Sequence, residues 1–375
     1  MTKSPAFRAF LFTHRWLALV VSLPLIAVAV TGGAIVFEGA IDRALNPSLN
    51  YVSSTGPAVS LDTLAAHASA ATNGGPVLAI SPSLSDDRAA TAVAGKGLSV
   101  YLDPHTGAVL GTRSSADREK SLARRLHVIH VHLFGNAIGG TIVGISTIVA
   151  LAIVLTGLFV WWRDKLWRIN THASWKRIAF DIHHATGIIT SLVLIVITAS
   201  GLVIHYETLS DAIDKLNRSP PPPAQPKQPA ADSSAVTISY DRAAQSAMTA
   251  LPGAAVISVS IQPSPKAPVT VGMRFPEDHT PGGRSRVILN RFSGAPLSVV
   301  NTRTAELGTR INNVRRSLHT GDVYGKTTEG IWLAAVVAMV AQIVTGVLMW
   351  WNGRPARRAN ATRSRERDPS LARSA

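Results

Sequence analysis

Four apolar stretches, residues 16–37, 138–162, 184–205 and 330–351, constrain this chain more than any other feature, because none contains Asp, Glu, Lys or Arg. A helix needs about 20 apolar residues to cross the hydrocarbon core of a bilayer. Each stretch meets that length, so the sequence predicts a membrane protein with four transmembrane helices. The intervening segments 38–137 and 206–329 are long enough to fold by themselves.

Orientation follows from the basic residues. Fifteen of the 37 Lys and Arg lie in residues 1–15, 163–183 and 352–375, close to the ends of the apolar stretches where the positive-inside bias acts. Those three segments are read as the cytoplasmic N-terminus, a cytoplasmic loop and a basic cytoplasmic tail, the tail as a disordered, lipid-facing anchor. These flanks account for most of the net charge of +15, so no nucleic-acid partner is needed. The first stretch follows a basic start but lacks a small-residue cleavage site before Glu38 and Asp42, so it is read as a retained helix. The expected location is a bacterial inner membrane, with both termini cytoplasmic and the two long segments periplasmic. The chain has no cysteine, which rules out disulfides, thiolate metal sites and a covalently attached c-type haem.

The apolar stretches repeat in pairs. His14 lies 18 residues before Gly32 of Thr31-Gly32, and His183 lies 18 before Gly201 of Ser200-Gly201. His130 precedes Thr156-Gly157 and Trp161-Trp162 as His319 precedes Thr345-Gly346 and Trp350-Trp351. The long segments match as well. Val59-Ser60-Leu61-Asp62 corresponds to Ile238-Ser239-Tyr240-Asp241, and Val77 to Ser81 corresponds to Val256 to Ser260. The predicted fold is therefore a four-helix transmembrane bundle of two parallel repeats carrying two small periplasmic α+β domains. A Pro-rich spacer at 219–230 opens the second domain.

Eight of the twelve histidines lie at or near the ends of apolar stretches: His14, His127, His130, His132, His183, His184, His205 and His319. A single imidazole there has an ordinary reading as a headgroup-level residue. Four of them, His14, His183, His130 and His319, occupy matched positions, two at each membrane surface. Two facing neutral imidazoles are the axial ligands of a six-coordinate b-type haem. His205 has no counterpart, yet it lies 22 residues after His183 on one helix face, about 33 Å away along the axis. The outer surface thus offers three candidates, His130, His205 and His319, for two positions, with His132, His184 and His127 as alternates. His67, His105, His172 and His279 read as solvated surface residues.

Arg15, Arg125 and Lys326 stand beside candidate ligands and would suit propionates. The terminal Trp pairs read as an aromatic belt. Glycines in the stretches read equally as close-packing positions in any bundle. No nucleotide-binding, zinc-protease or serine-hydrolase motif is present, and Gln342 is the one amide or charge at mid-depth.

His14-Arg15-Trp16-Leu17 with Thr31-Gly32, Asp181-Ile182-His183 with Gly187, Leu318-His319-Thr320-Gly321 with Thr345-Gly346 and Trp350-Trp351, and Asp103-Pro104-His105-Thr106-Gly107 resemble the PepSY-associated transmembrane family, nearest its FoxB-like siderophore-reductase branch. The resemblance covers nearly the whole chain. It implies two periplasmic PepSY-type domains and two b-type haems, held by His14 and His183 inside and by His130, His205 and His319 outside. It also implies the activity of a ferric-siderophore reductase, fed by a cytoplasmic or quinol electron donor and releasing Fe(II). Asn290-Arg291-Phe292-Ser293-Gly294 departs from the family's Asp-Pro-x-Thr-Gly turn. A non-enzymatic scaffold binding an envelope protein, or a carrier for haem or a metal chelate, are the alternatives.

Overall fold

The computed structural model describes residues 4–219, 226–229, 235–280 and 282–367. Most of the expected spacer at 219–230, and residues 368–375 of the tail, lie outside the described residues. The first half contains α1 (Pro5–Ile35), α2 (Glu38–Leu45), α3 (Pro47–Asn50), α4 (Leu61–Ala71), β1 (Val77–Ser81), β2 (Ala90–Ala94), β3 (Leu98–Leu102), β4 (Val109–Arg113), α5 (Ser115–Glu119), α6 (Leu122–His132) and α7 (Ala137–Asp164). The second half contains α8 (Trp175–His205), α9 (Glu207–Leu216), α10 (Tyr240–Ala250), β5 (Ala255–Ser260), β6 (Val269–Arg274), β7 (Ser285–Leu289), β8 (Pro296–Val300), α11 (Leu307–Thr320) and α12 (Lys326–Arg367).

Four helices, α1, α7, α8 and α12, are long and apolar enough to cross a membrane. Their ends are set by local chemistry. Ser4 accepts the Phe7 amide ahead of Pro5, and Asn136 accepts the Gly139 amide at the start of α7, each satisfying a donor that a helix start leaves orphaned. Around the bundle α1 packs on α7, α7 on α8, α8 on α12 and α12 on α1, so α1 and α8 stand on a diagonal. Val20, Leu23, Ile189, Leu192 and Val337 project outward and stay exposed, as suits a surface solvated by lipid. Helix α12 runs on beyond Asn352 to Arg367.

Two short helices extend the bundle at the end where the strands lie. Helix α6 packs on α1 and α7, and α11 packs on α8. They end sharply, α6 at Leu133 with φ 47° and α11 at Gly321 with φ 81°, where the chain turns back into the next spanning helix. His130 and His319 sit on these helices rather than on the spans.

The strands form one antiparallel eight-stranded sheet in the order β4-β3-β2-β1-β5-β6-β7-β8. The two expected domains are thus two four-stranded meanders joined edge to edge, with Ala79 opposite Ser260 and Ile80 opposite Val259. Each meander buries one face, as the alternation along β2 and β6 requires. Leu64 and Ala68 of α4 cover Ile80, Val100 and Leu102. Ala243 and Ala247 of α10 cover Val259, Val271 and Met273.

The join is locked by two carboxylates. Asp241 accepts the amides of Leu61 and Asp62 at 2.9 and 3.1 Å, while Asp62 accepts the amide of Tyr240 at 2.8 Å. Each half therefore caps the other half's helix. Desolvation alone would raise the Asp241 pKa, but hydrogen bonds from Asp62 and the two amides outweigh it and hold the pKa below its ordinary value. That stabilisation is present above the ordinary carboxylate pKa and is lost as pH falls through the lowered one. Asp241→Ala is expected to destabilise the sheet by about 1–3 kcal/mol. It should also speed hydrogen exchange at Leu61 and Asp62, and unchanged exchange at those two amides would refute the cross-cap.

The departing turn keeps its shape. Asp103 Oδ1 accepts the amides of His105 and Thr106, and Asn290 Oδ1 accepts those of Phe292 and Ser293, each ahead of a glycine at φ 74°. An amide oxygen serves as well as a carboxylate here. Arg291, where the first half has Pro104, is buried and donates to Thr237 Oγ1 and to the carbonyls of Gln262 and Ser264. The altered sequence has become an internal clamp.

Candidate functional site

At the end of the bundle holding the N-terminus, α1 and α8 each turn a histidine across the diagonal. The His14 and His183 ring centroids lie 6.3 Å apart at 88°. His14 Nδ1–H donates to the Ile153 carbonyl of α7 at 3.0 Å and approaches Thr156 Oγ1 at 3.2 Å. His183 repeats this on α12, with the Gln342 carbonyl at 3.0 Å and Thr345 Oγ1 at 3.2 Å. Thr156 and Thr345 spend their own hydroxyl protons on carbonyls one turn back, so they face the imidazoles as acceptors.

At the sheet end the geometry recurs with ligands from the short helices. His130 and His319 have ring centroids 6.0 Å apart at 52°. His130 Nδ1–H donates to Val28 O of α1 and His319 Nδ1–H to Ile197 O of α8, both at 2.9 Å. Burial, then the facing His319 and the nearby His127, push the His130 pKa down to about 4, against the Val28 hydrogen bond that raises it. Burial likewise lowers that of His319. Both rings are therefore neutral at physiological pH, the state in which imidazole binds metal.

A glycine seats each ring. A methyl group added at Gly157 would lie 3.0 Å from His14 Cε1, and at Gly346 it would lie 3.4 Å from His183 Cε1. At Gly32 it would lie 2.7 Å from His130 Cε1, and at Gly201 it would lie 3.0 Å from His319 Cε1. These are the glycines of the four Thr/Ser-Gly pairs. Sequence reading found the pairs as markers of the repeat and missed that each one receives a ring from another helix. The signal available was that the pairs were as regular as the histidines.

The tautomer is fixed by these contacts. A carbonyl can only accept, so Nδ1 carries the proton in all four rings and Nε2 keeps its lone pair. Two imidazoles bound through Nε2 on opposite sides of one metal, at about 2.0 Å each, place their centroids roughly 6.3 Å apart. Both observed separations fit. Among the described residues no group of three or more His, Cys, Asp or Glu is placed to hold a metal ion, so each pair offers two ligands and no third. That donor set fits a macrocycle that brings four nitrogens of its own, as haem does.

His205 does not join the sheet-end pair. Its ring packs on Tyr206, centroids 4.7 Å apart, and lies against Gly144 of α7. The three candidates for that surface thus resolve by proximity into His130 with His319. The separation of levels shortens accordingly. From His183 to Gly201, where His319 sits, is 18 residues of helix, about 27 Å. Of the alternates, exposed His132 lies over Gly140, exposed His127 lies within electrostatic reach of His130, and His184 stacks on Phe180 at 4.0 Å.

The remaining residues divide. Exposed Lys326 pairs with Glu329 at 2.6 Å, while Arg15 lies over the Trp16 ring at 5.8 Å. Trp162 and Trp351 are exposed as a belt requires. Trp161 is not a belt residue: it is buried against Trp167, and its indole N–H donates to Leu166 O. His172 is exposed. His67 and His279 are exposed and His105 is half-buried, and each ring also bonds a distant carbonyl, those of Gly107, Asp86 and Val323. Buried Asp181 is ion-paired with Arg177 and accepts the Asn170 amide. It braces the loop beside His183.

A family model described as the PepSY-associated TM region matches residues 11–352. No curated protein matches the chain significantly.

Proposed function

Since the chain belongs to the PepSY-associated transmembrane family, we propose that it is a di-haem b reductase of the siderophore-reductase branch in a bacterial inner membrane. It passes electrons from a cytoplasmic or quinol donor to a periplasmic ferric siderophore and releases Fe(II). The observation that carries this reading is the pair of facing histidine couples at the two ends of one bundle, with centroids 6.3 and 6.0 Å apart. A scaffold has no use for four half-buried imidazoles of fixed tautomer.

His14 and His183 would hold the cytoplasmic haem, and His130 and His319 the periplasmic one. When bound, haem supplies reversible one-electron chemistry across the span. The protein's contribution is orientation. Each Nδ1–H···O=C bond fixes the ring, leaves Nε2 with its lone pair and raises its basicity, and Thr156 and Thr345 add a second acceptor at the cytoplasmic pair. Gln342, the mid-depth amide, is absorbed into this frame, since its side chain donates to Thr190 and its carbonyl orients His183. On the periplasmic side the eight-stranded sheet stands over the bundle where the ferric chelate arrives. Oxygen-donor chelators hold the softer Fe(II) less tightly than Fe(III), so reduction loosens the cargo.

The test is spectroscopic. Purified full-length protein supplied with haem is expected to bind two per chain and to show the absorption of six-coordinate, bis-imidazole iron in both oxidation states. A haem-to-protein ratio near zero after such loading would overturn the proposal.

A further inference from the structure

We propose that His132, His205 and Tyr206 form an open acceptor site for a divalent transition-metal ion, on the sheet side of the His130–His319 pair. The site deepens the reductase reading and rests on it for the origin of the ion. Its existence as a metal site is testable without it.

The donors converge on one face of α7. A methyl group added at Gly144 would lie 2.6 Å from His205 Nε2 and in contact with the Tyr206 hydroxyl, so a nitrogen and an oxygen donor approach the same point. At Gly140 the equivalent point is 2.8 Å from His132 Nδ1. Gly140 and Gly144 are one turn apart on the same helix face, about 6 Å. The two imidazoles are within electrostatic reach of one another.

The contrast with the paired histidines sets the role. Those four rings are pinned through Nδ1 to carbonyls. Among the described residues, neither His132 nor His205 is pinned that way, and both rings keep nitrogens available. They are also not opposed across a gap as the paired rings are, because the ring neighbour of His205 is Tyr206 at 79°. Two imidazoles and a phenol suit Fe(II) and its neighbours in the first transition row. No third imidazole or carboxylate closes the set among the described residues, and an incomplete coordination sphere leaves positions for exchange, unlike a closed structural site.

The site also lies on a path. His319 sits at Gly201 with Thr147 of α7 alongside. Thr147, Gly144 and Gly140 step along α7 toward its sheet-side start at Asn136, and His132 at the last step is exposed. The rings of His319, His205 and His132 thus follow one another outward. Under the reductase reading, Fe(III) in the chelate takes one electron to become Fe(II). The chelate oxygens are then exchanged for the two imidazole nitrogens and the neutral Tyr206 phenol oxygen, with no other bond made or broken.

Zn(II), which has no redox chemistry, is the probe. Equilibrium binding is measured on the full-length protein, with haem content determined on the same sample. The wild type is expected to bind one Zn(II) per chain, and the His132→Gln/His205→Gln double variant to lose at least tenfold in affinity at unchanged haem content. Tyr206→Phe should lose less, and the surface control His67→Gln/His279→Gln nothing. Equal zinc affinity in the double variant, or no zinc bound by the wild type, would overturn the site and leave the reductase reading standing. Zinc bound through these residues by protein that takes up no haem would uphold the site and sink the reductase reading alone.

Discussion

His319→Ala is expected to halve the haem content of the purified protein, from two per chain to one, and to lower electron delivery to a ferric chelate by about a hundredfold or more. Under the proposed reading the ring would contribute one of only two protein ligands at its end of the bundle, and His205 is held against Gly144 and Tyr206. The surviving haem should be the one at His14 and His183, so His14→Ala should remove the other half of the spectrum, and the double variant should bind none. His205→Ala is the control that separates this arrangement from one using His205 as an axial ligand. Its haem ratio is expected to stay at two, and a fall to one would show that His205 is a ligand.

Equally large, and independent of any ligand change, is the expected effect of filling a ring seat. At Gly32 a Cβ would lie 2.7 Å from His130 Cε1, closer than side chains approach one another. The ring's Nδ1, itself 2.9 Å from the added atom, is bonded to the Val28 carbonyl one turn back on the same helix, so the ring must move and break that bond. Gly32→Val is expected to abolish haem binding at the sheet end while leaving all four histidines in the sequence. Gly187→Ala supplies the comparison. It lies within the same kind of helix, nothing approaches its added methyl within 4 Å, and it should be neutral or slightly stabilising through helix propensity. Equal haem loss in the two variants would mean that the effect is general bundle packing and not ring seating.

The spanning helices were legible because lipid imposes a length and a composition on each separately. The pairing of His14 with His183 was legible because a repeat supplies what one helix cannot, a reason for two distant residues to face each other. Other features depend on relations between elements, which hydropathy does not carry. Helices α6 and α11 are short, amphipathic and flanked by turns, so they merged with the external segments in the sequence. Once they are seen as separate helices, His130 and His319 reach inward from outside the span, whereas His205 on α8 is turned toward α7. The single sheet was hidden for another reason. The β1–β5 contact is made by backbone hydrogen bonds, which leave no mark on side-chain pattern beyond the matching strands already noted. The glycine seats were ambiguous because a glycine that admits a ring and one that admits a backbone are the same residue.

Each histidine couple draws one member from each half of the chain, His14 with His183 and His130 with His319. Under the proposed haem reading, neither half alone would own a complete ligand set. Capture of the prosthetic group would then report that the two halves have met in register at both ends, and a newly made chain whose second half is misinserted would remain colourless. The same division would make the cofactor a staple between halves that are otherwise joined by helix packing, the β1–β5 edge with its Asp62 and Asp241 cross-caps, and the short Lys165–Ser174 connection.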